Sequence, residues 1–231
     1  MTARLRLTPI LLAIALAGCS TDGPAPPSRD AAPPRAIPKN AVDTRPAIVI
    51  FGDSLSAGFG LEPGQSYPDH LQKLLDGKGY SYRVVNQGLS GDTTTGGLAR
   101  IEECISEKPL IAVVELGGND GLRGTPVART RANLEAIIGR IQSTGAQVVL
   151  AGMTLPRNYG DDYIKEFDRI FPELAKKYHV PLIPFLLEGL ASESGLTPGM
   201  IQPDGIHPTA KGSPIIARTV MAALEPLLKA K

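Results

Sequence analysis

Ala47-Ile48-Val49-Ile50-Phe51-Gly52-Asp53-Ser54-Leu55 joins five consecutive apolar residues to a glycine and two helix-capping side chains. A short unbroken apolar run rich in β-branched residues suits a parallel strand covered on both faces, and Gly-Asp-Ser suits the turn from which a helix departs. The pattern repeats on moving outward. Residues 110–116 and 147–151 are near-continuous apolar runs rich in Val and Ile, and Val84-Val85 and Leu182-Ile183 read as shorter strands. Between the strands, apolar residues fall at helical spacing. Leu134, Ile137, Ile138 and Ile141 form one stripe, Phe167, Ile170, Phe171 and Leu174 a second, and Ile215, Ile216, Val220, Ala223, Leu224 and Leu227 a third. Thr125-Pro126 is a start signal for the first of these helices and Gly145 a stop.

Strand alternating with helix predicts an α/β fold: a doubly wound parallel sheet with helices on both faces, right-handed crossovers, and any ligand at the carboxyl ends of the strands. Gly52 follows the first strand, Gly88 and Gly91 the second, and Gly117 and Asp120 bracket the turn after the third. Periodicity leaves the order of the strands within the sheet open.

The strand ends carry a set of reactive groups. Gly52-Asp53-Ser54-Leu55 offers a hydroxyl, and Asp204-Gly205-Ile206-His207-Pro208, about 150 residues later, offers an imidazole and a carboxylate. A serine hydroxyl is a poor nucleophile near neutral pH until an imidazole takes its proton and a carboxylate orients the imidazole. Three histidines occur, His70, His179 and His207, and His207 alone lies in a loop with a carboxylate three residues earlier. In a turn of helical form that spacing sets both side chains on one side. His70 and His179 read as helix-surface or helix-end residues. Ser90-Gly91-Asp92 and Gly117-Gly118-Asn119-Asp120 are turns in which the Gly91 N–H and the Asn119 amide can converge with the Ser54 N–H on an oxyanion. Read singly, Asp53 and Ser54 could merely cap a helix, and Gly91 and Asn119 could be ordinary turn residues. Asp92 and Asp120 suit turn or cap groups, and Glu115 suits a paired structural carboxylate.

These four blocks, in this order and spacing, resemble the SGNH or GDSL hydrolase family. Glu115-Leu116-Gly117-Gly118-Asn119-Asp120-Gly121-Leu122-Arg123-Gly124 and Leu155-Pro156-Arg157-Asn158-Tyr159-Gly160 further resemble the branch containing bacterial thioesterase I, lysophospholipase L1 and arylesterases. The resemblance runs from about residue 47 to about residue 228. It implies a three-layer α/β/α sandwich around a flavodoxin-like five-stranded parallel sheet in the order 2-1-3-4-5. It also implies a serine hydrolase acting through an acyl-Ser54 intermediate, with His207 as base, Asp204 as its orienting acid, and Ser54, Gly91 and Asn119 as the oxyanion hole. The substrates implied are small acyl esters or lipids: aryl and fatty-acyl esters, lysophospholipids or acyl thioesters. Removal of acetyl groups from an envelope polysaccharide is an alternative, and a non-catalytic binding lipoprotein on the same scaffold is another. Substrate choice is expected in the loops around Leu55, residues 122–125, 155–159 and 198–202.

Other chemistries find little in the chain. No Gly-x-Ser-x-Gly elbow occurs, Gly58-Phe59-Gly60 meets Pro63 where a dinucleotide fingerprint needs its third glycine, and a phosphate-loop Gly-Lys-Ser/Thr is missing. Three scattered histidines and two separated cysteines make a transition-metal centre unexpected, and nothing calls for an organic cofactor. Lys and Arg number 24 against 23 Asp and Glu, a balance that gives no field to gather nucleic acid.

The 231 residues suit one domain with an N-terminal extension. Arg4 and Arg6 precede the apolar segment Ile10-Leu11-Leu12-Ala13-Ile14-Ala15-Leu16, too short to span a bilayer and suited to a secretory signal. Leu16-Ala17-Gly18-Cys19 looks like a bacterial lipobox, so residues 1–18 are expected to be removed and Cys19 lipidated; an ordinary signal peptide is the alternative. Several acyl chains would hold the protein at a membrane durably. Ser20 after the lipidated position points to the outer membrane, with the domain facing the periplasm. Residues 19–46 are rich in Pro and Ala and read as a linker. As a polyproline helix it would reach about 80 Å at ~3.1 Å per residue, and as a coil roughly 30 Å. The hydrolase domain is expected over residues 47–231. Cys104, left without a partner, reads as a small buried apolar group.

Overall fold

The computed structural model describes residues 43–192 and 195–229. The expected signal segment, the lipidation site Cys19 and nearly all of the linker lie outside the described residues.

Five parallel strands form the central sheet: β1 (Ala47–Gly52), β2 (Arg83–Gly88), β3 (Pro109–Glu115), β4 (Gln147–Ala151) and β5 (Leu182–Ile183). Their spatial order is β2-β1-β3-β4-β5, the order that the resemblance implied. Strand pairing runs in register from Ile48↔Val84 to Gly52↔Gly88 on one side of β1 and from Ile48↔Ile111 to Gly52↔Glu115 on the other. One residue of β3, Leu110, lies in the strand as expected but is not covered on both faces. Ala47 pairs with Pro109 and Ile48 with Ile111, so Leu110 is an extra residue without an opposite number and stands 43 % exposed at the bulge.

Among the described residues eight α-helices accompany the sheet: α1 (Ser54–Ala57), α2 (Tyr67–Gly77), α3 (Thr94–Ala99), α4 (Ile101–Ser106), α5 (Gly118–Leu122), α6 (Val127–Gln142), α7 (Asp161–Tyr178) and α8 (Ser213–Leu224). Each strand residue points to the face opposite its neighbour's, so an unbroken apolar run feeds two separate cores. Val49, Phe51, Ala112, Val114, Val148 and Leu150 pack with Leu134, Ile137, Ile138 and Ile141 of α6 and Phe167, Ile170, Phe171 and Leu174 of α7. Ile48, Ile50, Ile111, Val113, Val149 and Ala151 pack with Leu71 and Leu75 of α2 and Ile216, Val220 and Leu224 of α8. The three stripes read from the sequence are thus the sheet-facing sides of three helices. Each fully buried Ile, Leu or Phe contributes about 1.5–3 kcal/mol by leaving water, which is what holds the layers together. Helix α2 begins with a capping box, Ser66 receiving the Asp69 N–H while the Asp69 carboxylate receives the Ser66 N–H, and this fixes Tyr67 at its buried first position.

A short antiparallel pair, β6 (Ala191–Ser192) and β7 (Gly195–Leu196), lies outside the main sheet. The strand order reverses at β1: the chain goes from β1 out to β2, then crosses back to β3 on the other side. This reversal opens a crevice beyond the carboxyl ends of β1 and β3, the general ligand position in such sheets.

Candidate active site

Ser54 is the first residue of α1 and is 8 % exposed. Asp53 caps that helix, its carboxylate taking the Leu55 N–H at 3.0 Å and not that of Ser54. The Ser54 Oγ lies 2.8 Å from His207 Nε2, and the other ring nitrogen, Nδ1, lies 2.7 Å from Asp204 Oδ2. A proton can therefore pass from hydroxyl to imidazole while the carboxylate fixes which nitrogen is free to receive it.

The turn holding Asp204 and His207 together differs from the helical form expected. Asp204 Oδ1 accepts the backbone N–H groups of Ile206 (2.9 Å) and His207 (3.0 Å), and Gly205 sits between them at φ +74°. The carboxylate itself is the organising centre of this turn. Partial burial pulls the Asp204 carboxyl upward, but the N–H of Ile206 and the His207 ring and backbone outweigh it, so its pKa lies below the usual carboxylate value.

Two further residues brace His207: Gln202, expected only in a substrate loop, and Phe59, not expected at the site. The Gln202 N–H donates to the His207 carbonyl (2.7 Å), and its side-chain amide donates to the carbonyls of Phe59 (2.8 Å) and Pro208 (2.9 Å). The Phe59 ring lies 4.6 Å from the imidazole, tilted by 40°, although the residue is 51 % exposed. A solvent-facing phenylalanine seven residues after a strand carries no local signal of such a contact.

The remaining expected site residues come to the same end of the sheet. Gly91 follows β2 at φ +80°, a conformation that favours glycine, and its carbonyl receives the Arg123 guanidinium at 2.9 Å. Asn119 lies in the first turn of α5 and donates one amide N–H to Asp53 Oδ2 at 3.0 Å, leaving its second N–H uncommitted to that bond. The carboxylates set aside in the sequence are structural. Asp92 is paired with Arg100 at 2.7 Å, and Asp120 accepts the Thr94 N–H (2.8 Å) and hydroxyl (2.6 Å). Glu115, however, is fully buried and faces another carboxyl, Asp53. His179 terminates α7 at φ +52°, beside the opposite ends of the strands, and His70 lies on α2; neither reaches Ser54. Burial pushes the Cys104 thiol up to about 12, which removes it as a nucleophile.

An apolar cleft of about 370 Å³ adjoins the triad. Leu122, Met153, Leu155, Phe185, Leu187 and Ile206 line it, with Gly118 and Gly205 at the catalytic end. Leu122 and Leu155 were expected there. Met153 and Phe185 follow β4 and β5 by two residues, so their place at strand ends was the signal that would have found them.

Serine, imidazole and carboxylate in a hydrogen-bonded row at the carboxyl edge of a doubly wound sheet define a serine hydrolase arrangement. The chain belongs to the GDSL-like lipase/acylhydrolase family, whose pattern matches residues 50–214. It is 44% identical over 182 residues to esterase TesA of Pseudomonas aeruginosa, covering 78% of this chain and 89% of that one. It is 40% identical over 189 residues to thioesterase 1/protease 1/lysophospholipase L1 of Escherichia coli K12, covering 81% and 86%. A crystal structure of TesA superposes with a TM-score of 0.74 at 44% identity, over 79% of this chain and 99% of that one. The chain is accordingly an ester hydrolase, and the reading of it as a non-catalytic lipoprotein falls away.

Proposed function

We propose that the protein cleaves fatty-acyl esters and thioesters through an acyl-Ser54 intermediate. The observation that carries the reading is the pair of bonds on one imidazole, 2.8 Å to Ser54 and 2.7 Å to Asp204. His207 Nε2 takes the hydroxyl proton as Ser54 Oγ attacks the acyl carbon. The negative charge that develops on the carbonyl oxygen is met by the N–H groups of Ser54 and Gly91 and the free amide N–H of Asn119. Collapse expels the alcohol or thiol, which takes the proton back from His207. Water then enters, loses a proton to the same nitrogen, and releases the acid and Ser54. Each oxyanion donor is worth about 2.7–4 kcal/mol of transition-state stabilisation.

The apolar cleft is the support for a chain longer than acetate. An acetyl group would leave it unfilled, whereas each buried methylene of a longer acyl chain gains about 0.8 kcal/mol. Leu122, only partly buried, can be shortened with little cost to the fold. Leu122→Ala is expected to lower kcat/KM for p-nitrophenyl octanoate about tenfold while leaving p-nitrophenyl acetate within about twofold, since removing apolar contact to the distal chain costs about 1–1.5 kcal/mol. An unchanged octanoate-to-acetate ratio would place the acyl chain elsewhere.

The N-terminal motif extends the proposal to location. Lipidation of Cys19 would tether the domain through residues 19–46 at the bacterial envelope, facing the periplasm and most simply at the outer membrane, within reach of lipid substrates. Cys19→Ser, expressed from the full chain, is then expected to leave the membrane fraction with its specific activity intact. Retention of the variant in membranes would sink the anchor assignment.

A further inference from the structure

Beneath the catalytic turn lies a row of buried polar groups that the hydrolytic cycle does not use. The Ser56 hydroxyl donates to Glu115 Oε2 at 2.7 Å, and the Asp53 N–H donates to the same oxygen at 3.2 Å. With its one hydrogen given to Glu115, Ser56 must accept from the Tyr67 hydroxyl 2.7 Å away. The Glu115 and Asp53 carboxyls are neighbours, joined through the Asp53 N–H, and Asp53 further accepts the Leu55 N–H and the Asn119 amide. Gly52 has no room for a side chain, because a Cβ there would strike the Glu115 carboxyl and the Ser56 hydroxyl. The cluster is thus packed shut, with Glu115 0 % and Asp53 3 % exposed.

No lysine or arginine among the described residues pairs with either carboxyl. The charged and titratable groups around them are His207 facing Asp53, Tyr67 facing Glu115 from α2, and Arg100, which reaches the Gly52 carbonyl at 2.9 Å but is paired with Asp92. Two buried carboxylates side by side without a cation are untenable, so one must keep its proton. Glu115 is the one that keeps it. Burial first and the Asp53 charge second push its pKa well above the ordinary carboxylic value, and its Oε1 receives no donor, as an acid but not a carboxylate can tolerate. Burial raises Asp53 as well, opposed by the donors it receives from Leu55, Glu115 and Asn119.

We propose that Glu115 is a positioning residue for ester hydrolysis: as a neutral acid it donates to Asp53, and Asp53 holds the Asn119 amide in the orientation that presents its other N–H to the substrate oxyanion. Hydrogens run one way along the row, Tyr67 to Ser56 to Glu115 to Asp53, and the row ends on the carboxylate that anchors Asn119. Without the acid's hydrogen, Asp53 would turn to gather other donors, and the amide would lose its fixed facing. Glu115 touches no substrate, so its effect passes entirely through Asn119. The proposal rests on the reading of Ser54 and Asn119 given above.

The test compares Glu115→Gln and Glu115→Met, similar in length but differing in whether they can donate, with kcat and KM measured on p-nitrophenyl butyrate and folding checked by thermal melting. Glu115→Gln is expected to hold kcat within about threefold. Glu115→Met is expected to lose about tenfold or more in kcat at nearly constant KM. In an Asn119→Ala background, itself down about 10²–10³-fold, the same Met substitution should cost less than about twofold, because the group it acts through is gone. Equal losses in both backgrounds would overturn the proposal, as would a folded Glu115→Gln enzyme that had lost tenfold; the Gln variant carries the test alone if Met does not fold. Asn119→Ala activity near wild type, with Ser54→Ala inactive, would overturn the oxyanion reading instead and the proposal with it.

Discussion

Ser54→Ala is expected to lower kcat on p-nitrophenyl butyrate by about 10⁴–10⁶-fold, with the melting temperature unchanged within a few degrees. The large factor follows from removing the only atom that forms the covalent bond; what survives is the contribution of oxyanion donors and binding. The small structural effect follows from the site itself. The Ser54 side chain contributes one hydrogen bond, to His207, and the helix cap belongs to Asp53. Deleting one hydroxyl that faces a ring nitrogen leaves no buried donor stranded, because the imidazole remains held by Asp204 and the His207 backbone by Gln202. Circular dichroism and melting on the same preparation separate loss of chemistry from loss of fold, and residual turnover above a hundredth of wild type would remove Ser54 from the mechanism.

Asp204→Asn is expected to lower kcat by roughly 10³–10⁴-fold, for a reason that depends on the observed turn. Asp204 Oδ1 is already committed to the N–H groups of Ile206 and His207. In the asparagine variant the carbonyl oxygen must keep those bonds, so the amide nitrogen faces His207 Nδ1. That ring nitrogen then becomes an acceptor, the proton moves to Nε2, and the atom that should receive the Ser54 hydrogen is already protonated. The alternative, with the amide flipped, restores the tautomer but leaves the two backbone donors facing an NH₂ group. The Asp204 side chain is 37 % exposed, so water screens part of its charge, and the effect is expected nearer the lower figure. A loss below tenfold would show that orientation by Asp204 contributes little and that the imidazole is positioned mainly by Gln202 and Phe59.

The parts of the fold legible in the sequence were those carried by repetition. Residues 47–52, 109–115 and 147–151 must be covered on both faces, so apolarity alone marks them, and the stripes of α6, α7 and α8 follow from 3.6-residue spacing. Strand order was not legible from spacing, because either side of β1 would bury the same residues; it came only from the family resemblance that the four motif blocks carry. Leu110 lies in its expected strand, but its exposure was not legible because a bulge changes no residue type, only the register. Of the site, the groups with distinctive chemistry, Ser54, His207 and Asp204, were readable, whereas the groups that hold them were not. Phe59 and Gln202 meet His207 through loops separated by about 150 residues, and nothing local in either loop marks the contact. Glu115 was expected as a paired structural carboxylate, but its partners, Ser56 and Asp53, were not legible, because nothing local in the sequence marks a fully buried carboxyl that is held without a cation.

Covalent labelling shows whether Ser54, served by His207, is the nucleophile. The soluble domain, incubated with a p-nitrophenyl alkylphosphonate, is expected to release one equivalent of p-nitrophenol, lose its activity in step, and carry the phosphonyl group on the peptide containing Ser54. Labelling should be absent in Ser54→Ala and slowed strongly in Asp204→Asn. Complete inactivation with the phosphonyl group on any other residue would remove Ser54 as the nucleophile.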